Sequence, residues 1–581
     1  MSSAPAPDLR AHLSGLIAQA LQALDARGAD VNIILEKPKQ ALHGDYACNI
    51  ALQLARGLRA KPRDIAARLV EALPRSPYVE RAEVAGPGFI NVFLTQDFKQ
   101  ESARRVLQAG TGYGRSALGQ GKKIQVEFVS ANPTGPLHVG HGRGAAFGAS
   151  LANVLSAAGF VVSREYYIND AGRQMDILAL STWLRYLQET GAELAFPSNA
   201  YQGAYVRDMA RALHARHGTR YARDTVALVR GVPEIASDAE AHLDGLIANA
   251  KNLLAEDYEH IHAFALNEQL ADCRTDLAEF GVHYDHWFSE RSLYESGLIT
   301  RAMDMLDARG HLYQQDGARW FRSSRFDDEK DRVLQRENGQ YTYFASDIAY
   351  HLNKFERGFD VVVDVWGADH HGYIARVKGA VEALGYSPTR LTVALVQFAV
   401  LYRGGQKVSM STRAGEFVTL RELRREVGND AARFFYVLRK SDQHLDFDLD
   451  LAKSQSNENP VYYVQYAHAR VCSVHEQWGG RLEELLDVSL APLTSGQELA
   501  LLQKLIDYPD TVEDAAREMA PHLIAFYLRE LAAEFHSYYN ATRVLVDEQA
   551  LRLARLALVT AVRQVIGNGL DLLGVSAPER M

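Results

Sequence analysis

Cysteine is scarce in this chain. Cys48, Cys273 and Cys472 are odd in number and far apart, which fits neither a disulfide framework nor a zinc knuckle and leaves three ordinary buried thiols. Long apolar runs are lacking too. Residues 1–24 have no basic segment followed by an unbroken apolar stretch, and no run elsewhere reaches the roughly 18 residues that a membrane span needs. The expectation is a cytoplasmic protein with no membrane partner. Positive charge is not in surplus either: 63 Lys and Arg against 72 Asp and Glu give a net −9, which argues against bulk electrostatic attraction to nucleic acid. Internal repeats and low-complexity tracts are absent. What is present is 47% hydrophobic and 23% charged residues, the balance of a soluble globular protein, in 581 residues that are too many for one core. Three or four domains are expected.

The pattern changes twice along the chain. Residues 1–115 read as a small α+β module: helical spacing over 9–24, 46–58 and 62–73, then short strands over 82–84 and 89–94 around the turn Gly86-Pro87-Gly88. This part carries 15 Lys and Arg against 11 Asp and Glu, a local +4. Residues 116–453 alternate strands with helices, which predicts an α/β Rossmann-like parallel sheet with crossover helices. Its candidate strands are 124–129, 161–168, 361–366 and 391–396, and a helical insertion of about 184–262 is too long for a βα loop. Residues 454–581 show only helical periodicity, as in 499–506, 522–535 and 551–573, and carry 10 basic against 17 acidic residues. RNA binding there would depend on local patches and on rings such as Tyr462, Tyr463, Tyr466, Tyr538 and Tyr539. Each of these rings taken singly is more often core than contact.

The most informative stretch is Ser130-Ala-Asn-Pro-Thr-Gly-Pro-Leu-His-Val-Gly-His-Gly-Arg-Gly144. It follows a candidate strand, 123–129, and opens a helix near Gly140. His138 and His141 are three apart, so both imidazoles can point the same way as the helix begins, while Gly140, Gly142 and Gly144 keep Cβ atoms away. A phosphate there would meet free backbone N–H groups, the positive end of the helix dipole and two donor rings. The tetrapeptide His138-Val139-Gly140-His141 resembles the HIGH signature of class I aminoacyl-tRNA synthetases. The longer string from Glu127 to His138 is more specific, and is similar to the arginyl enzymes of bacterial type.

That resemblance implies a set of roles. His138 and His141 would hold the α- and β-phosphate oxygens of ATP. The second class I signature, on a mobile loop, is degraded here to Ser409-Met410-Ser411-Thr412-Arg413, so Arg413 and the nearby Lys407 are the cations left for pyrophosphate, Lys407 first. Glu127, Asn132, Tyr343 and Asp347 match arginine-binding positions, with Asn132 on the α-amino group and the acidic residues on the guanidinium or the α-ammonium. Without the resemblance, Asp347 would read as a helix charge and Glu127 as a surface residue. Gly367, Asp369, His370 and His371 fall where the family holds ribose and adenine, beside Gly140, Gly142, Ser409, Met410 and Ser411. No protein-bound metal is expected, because adjacent histidines point apart and no third ligand is suitably spaced. Mg2+ would arrive with ATP. The implied partners are tRNA(Arg), L-arginine and ATP. The first module would touch the outer corner of the tRNA, the helical bundle would hold its anticodon, and the chain would be a monomer. Two other classes remain in view. A small-molecule adenylyltransferase would need neither the appended module nor the bundle. A catalytically silent RNA-binding paralogue would bind tRNA without releasing pyrophosphate.

Overall fold

A computed structural model describes residues 9–24, 32–38, 40–408 and 418–581. The first module is an antiparallel sheet of β1 (Leu35–Glu36), β2 (Tyr46–Cys48), β3 (Val79–Ala85) and β4 (Phe89–Leu94), in the order β1-β2-β4-β3. Helices Leu9–Ala23, Ile50–Leu58 and Pro62–Ala72 supply its apolar cover. The helix expected over 46–58 is therefore two elements. Tyr46, Ile50 and Leu54 are four apart, a helical spacing, but Tyr46 and Cys48 are fully buried on either side of half-buried Ala47, which is the period of a strand paired to β4. The following helix Gln96–Ala109 puts Phe98 into the module's core and also packs against helices Gly496–Arg517 and Gln549–Leu573 of the C-terminal bundle.

The central domain is built on five parallel strands: β5 (Lys123–Glu127), β6 (Val161–Ile168) and β7 (His286–Ser289), and later in the chain β11 (Val361–Gly367) and β12 (Leu391–Val396). Between the two groups lies an antiparallel meander of β8 (Leu312–Gln315), β9 (Ala318–Phe321) and β10 (Arg332–Gln335). The parallel order is β12-β11-β5-β6-β7, so the chain runs outward from β5 through β6 to β7 and then crosses back to β11. The order reverses between β5 and β11, and it is outside the carboxyl ends of such a pair that an open α/β sheet offers a binding crevice. Four of the strands were legible in the sequence, and β7 was not. A small sheet of β13 (Ala399–Arg403), β14 (Gln406–Lys407) and β15 (Leu445–Asp448) follows, with β13 in the centre.

The C-terminal part is helical, with long helices Pro460–Trp478, Gly496–Arg517, His522–Ala541 and Gln549–Leu573. The last departs from the sequence expectation: over its most apolar stretch it has a mean hydropathy of 1.3, and it is long enough to cross a membrane. No unbroken run marks it because polar residues interrupt the apolar ones at helical intervals. In the fold 72% of that stretch is buried, at the centre of a core continuous with the parallel sheet.

Candidate active site

Strand β5 stops at Glu127 because Val129 and Ser130 adopt positive φ, 68° and 41°, and throw the chain out of the sheet. For a β-branched valine that backbone is strained, and it sits beside the crevice. The chain then re-enters as helix Val139–Ala157, capped by His138. His138 Nδ1 accepts the Gly140 N–H at 3.1 Å, and His141 Nδ1 accepts the His138 N–H at 3.2 Å. The two rings stack with centroids 3.6 Å apart. Since each Nδ1 is an acceptor, each neutral ring carries its proton on Nε2. Burial lowers both pKa values, that of His141 to about 3, so both rings are neutral donors at pH 7.

This geometry corrects the sequence reading in two respects. The first-turn N–H groups are not free for phosphate: Gly140 and His141 donate to the His138 ring, and Val139 donates to Val418 O at 3.2 Å. Recognition therefore falls to the imidazoles and the helix dipole. Gly142 is buried and serves packing, because a Cβ there would meet Leu420 Cδ1 at 2.7 Å and the Tyr436 hydroxyl at 3.0 Å. Gly140 lacks a Cβ for a related reason, since one would press on the His138 ring at 2.9 Å. A cleft of about 530 Å³ opens over both histidines, lined also by Asn132, Thr134, Tyr201 and Tyr205.

Helix Tyr343–Glu356 supplies the next group. Tyr343 stands in its first turn and is 66% exposed, and Asp347 lies one turn on, accepting a hydrogen bond from the Tyr373 hydroxyl. Burial raises the Asp347 pKa. Beside it is a residue that sequence reasoning missed. Glu290 follows β7, is 2% exposed, and has its pKa pushed up to about 7 by burial, then by Asp347 and Asp170. Among the described residues, neither Glu290 nor Asp347 forms an ion pair with Lys or Arg. A buried Glu290 beside a half-buried Asp347 with no cation between them is expensive, and its natural complement is a cation with several planar donors. Glu127 is placed differently. It is buried rather than superficial, and both oxygens are engaged, Oε2 by Lys354 Nζ at 2.5 Å and Oε1 by the Ser130 hydroxyl at 2.9 Å. Asn132 is exposed at the cleft, its amide donating to Gln174 at 2.8 Å.

Gly367 ends β11, and Asp369, His370 and His371 follow in an exposed single turn, with His370 Nε2 3.6 Å from the Asp369 carboxylate. They stand at the carboxyl end of the strand adjoining β5, across from the histidine turn. Lys407 is exposed on β14, in a hairpin that starts beside the signature helix. Ser409, Met410, Ser411 and Arg413 lie outside the described residues. Leu420 N–H donates to Leu137 O at 2.8 Å and Thr419 bridges to His138, so the chain at 419–420 is pinned to the histidine turn. In the bundle, half-exposed Tyr462 and Tyr466 stack with centroids 5.8 Å apart, and Arg470 lies 4.4 Å over Tyr466. Tyr463 instead leans on His536, and Tyr538 is fully buried with its hydroxyl toward Glu498, which removes Tyr538 from the proposed stacking face.

Comparison with known proteins accords with this geometry. Residues 103–445 match the family described as tRNA synthetases class I (R), catalytic domain. Residues 11–94 match the arginyl tRNA synthetase N terminal domain, and residues 464–581 match the DALR anticodon binding domain. The arginine–tRNA ligase of Nitrosospira multiformis is 68% identical over 578 residues, 99% of each chain, and that of Nitrosomonas eutropha is 63% identical over 579 residues, again 99% of each. The solved arginyl-tRNA synthetase of Thermus thermophilus superposes with a TM-score of 0.74 at 25% identity, covering 99% of this chain and 100% of that one. This chain belongs to the arginyl-tRNA synthetase family of class I aminoacyl-tRNA synthetases.

Proposed function

We propose that this chain uses ATP to attach L-arginine to its tRNA through arginyl-adenylate, giving arginyl-tRNA, AMP and pyrophosphate. The observation that carries the reading is the cation-free pair of buried Glu290 and half-buried Asp347, in a crevice that also holds two neutral imidazole donors at a helix N-terminus. Activation is attack by the arginine carboxylate on the α-phosphate with pyrophosphate leaving, and it needs no nucleophilic side chain. The chain contributes position and charge stabilisation. The guanidinium sits between Asp347 and Glu290 with Tyr343 beside it, and Asn132 takes the α-amino group. Glu127, shared with Lys354, supports this pocket from within the sheet. His138 and His141 donate from Nε2 to the α- and β-phosphate oxygens, where charge builds as the bond to pyrophosphate breaks. Lys407 and Arg413 neutralise the leaving pyrophosphate. Gly367, Asp369, His370 and His371 hold ribose and adenine, and ATP enters as its magnesium complex.

Rejection of lysine follows from the same pair, since a point-like ammonium leaves part of a carboxylate pair built for a planar fork unpaired. On this reading residues 1–115 touch the outer corner of the tRNA, 116–453 carry the chemistry, and 454–581 receive the anticodon, with Tyr462, Tyr463 and Tyr466 at the contact. The protein works as a cytoplasmic monomer. The test is exchange of labelled pyrophosphate into ATP, with and without tRNA. Exchange that needs arginine and is not supported by lysine is the expected result, and equal rates with the two amino acids would overturn the assignment of the pocket.

A further inference from the structure

Three neighbouring strands of the parallel sheet carry carboxylates at one register. Asp364 of β11 pairs with Glu127 of β5, and Glu127 pairs with Glu165 of β6. Side chains at paired positions of a parallel sheet stand on the same face, so the three form a row across it. All three are buried. Such a row is repulsive unless cations meet it, and among the described residues every basic side chain that meets it comes from one helix, Tyr343–Glu356, and the residue that caps it, with the Ser130 hydroxyl adding one further bond to Glu127. Lys354, with no exposed surface, donates to Glu127 at 2.5 Å and to Asp364 at 2.7 Å. Arg357 grips Glu165 with both terminal nitrogens, at 2.6 and 2.8 Å, and the Tyr350 hydroxyl adds a bond at 2.6 Å. Both His351 nitrogens face acceptors, the Asp364 carboxylate at 2.9 Å and the Asp347 carbonyl at 2.7 Å.

The same helix carries Tyr343 and Asp347 at its other end. Asp347, His351 and Lys354 lie at intervals of four and three, on one stripe. A slide by one turn would leave Lys354 without its two oxygens and carry Asp347 away from Glu290. Lys354 spans two strands, so it fixes the helix along the sheet and across it. After the Tyr373 hydrogen bond, its charge also opposes the desolvation of Asp347.

Resting on the reading of Asp347 as a guanidinium ligand, we propose that Lys354 is a positioning residue of the arginine site: its ammonium, shared by Glu127 and Asp364, sets the register that holds Asp347 and Tyr343 at the pocket. It touches neither substrate nor ATP. Its loss weakens arginine binding and leaves ATP binding alone, because the histidine turn and the Gly367 turn follow β5 and β11, which their backbone ladders hold in the sheet without Lys354.

The experiment is steady-state tRNA charging with arginine and ATP varied separately, on the natural chain, Lys354→Met, Lys354→Arg and Asp364→Asn, with thermal unfolding of each. Lys354→Met, close in length but neutral, is expected to raise KM for arginine about tenfold or more while KM for ATP stays within about twofold, and Lys354→Arg to restore most of the loss. An unchanged KM for arginine, or equal rises in both KM values with no recovery in Lys354→Arg, would overturn the proposal and leave Lys354 as a buried counter-charge alone. Should Lys354→Met not fold, Asp364→Asn, which keeps Lys354 on Glu127, is judged by the same split between the two KM values. Absence of arginine-dependent charging by the natural chain would instead refute the reading of the pocket, whatever the variants do.

Discussion

Glu290 is the residue on which pH should act most visibly. Its carboxyl is raised to about 7, chiefly by burial, so in the empty pocket it is about half protonated at neutral pH. A guanidinium favours the ionised form and lowers that value, so arginine binding releases a proton. Affinity is then full above the free-site value and lost as pH falls through it. We expect KM for arginine to rise as pH drops below about 7, approaching tenfold per unit, and Glu290→Gln to show a high KM with no such slope. Charging assays across that range decide it, and a flat profile in the natural chain would take Glu290 out of the pocket. The histidines predict the reverse. His141, held at about 3, has no proton to gain near neutrality, so kcat should not titrate at the ordinary imidazole value. Replacing His138 or His141 by Ala should lower kcat about 10²-fold or more, the usual cost of one donor to a developing charge, with KM for arginine little altered. Rapid-quench measurement of adenylate formation would show whether the loss lies in that step.

At the scale of elements, what could be read depended on where the determining information lay. Strands β6 and β12 were read with their observed limits because β12 is a nearly unbroken apolar run and β6 is rich in β-branched and aromatic residues between Gly159 and Asn169-Asp170. Strand β7 is four residues, His286 to Ser289, with histidine and tryptophan in place of an apolar alternation, and so gave no local signal. Glu290 was lost with it, since nothing marked the residue after an unread strand. Asp347 was read because a sequence string pointed to it. Lys354 went unremarked because its partners are 10 and 227 residues away, and meet only when β5 and β11 pair. Free N–H groups at the signature were expected from helix geometry alone, but the His138 ring takes two of them locally and the distant Val418 carbonyl takes a third. The residue after Val418 offers a test. Thr419 caps helix Leu420–Val427 in a reciprocal pair with Glu422, and bridges to His138. Thr419→Ala should cost about 1 kcal/mol of stability, seen as a lower unfolding midpoint. A midpoint equal to that of the natural chain would mean that the cap adds nothing to the turn's anchorage.

At the scale of the molecule, the uneven charge has a use the sequence did not disclose. The first module's surplus of +4 suggested a surface for RNA, and the bundle's net −7 looked like an obstacle to it. In the fold part of each balance faces the other. Asp507, Asp510 and Asp514 lie on one face of helix Gly496–Arg517, and the module closes over them. Arg10 reaches Asp510 at 3.1 Å and Asp514 at 2.6 Å, Lys37 reaches Asp507 at 3.0 Å, and the Tyr46 hydroxyl donates to Asp510 at 2.8 Å. Ile506 of the same helix enters the module's own core. The module is therefore seated on the bundle, and Arg10 and Lys37 are engaged there rather than held free for phosphate. Asp510 is the centre of this contact, nearly buried and met by three groups. Asp510→Ala leaves Tyr46 and Lys37 short of a partner and should weaken the seat by about 3 kcal/mol, the usual cost of breaking a largely buried ion pair from one side. The weakening should appear as faster tryptic release of the module and as a separate, earlier transition in calorimetry. Asp487→Ala, at an exposed position of the same acidic region, should change neither. If the two variants behave alike, the module is held by apolar contact around Ile506 and the charge pairing is incidental. If only Asp510→Ala loosens it, the complementary charges of the two ends of the chain are what orient the module on the bundle.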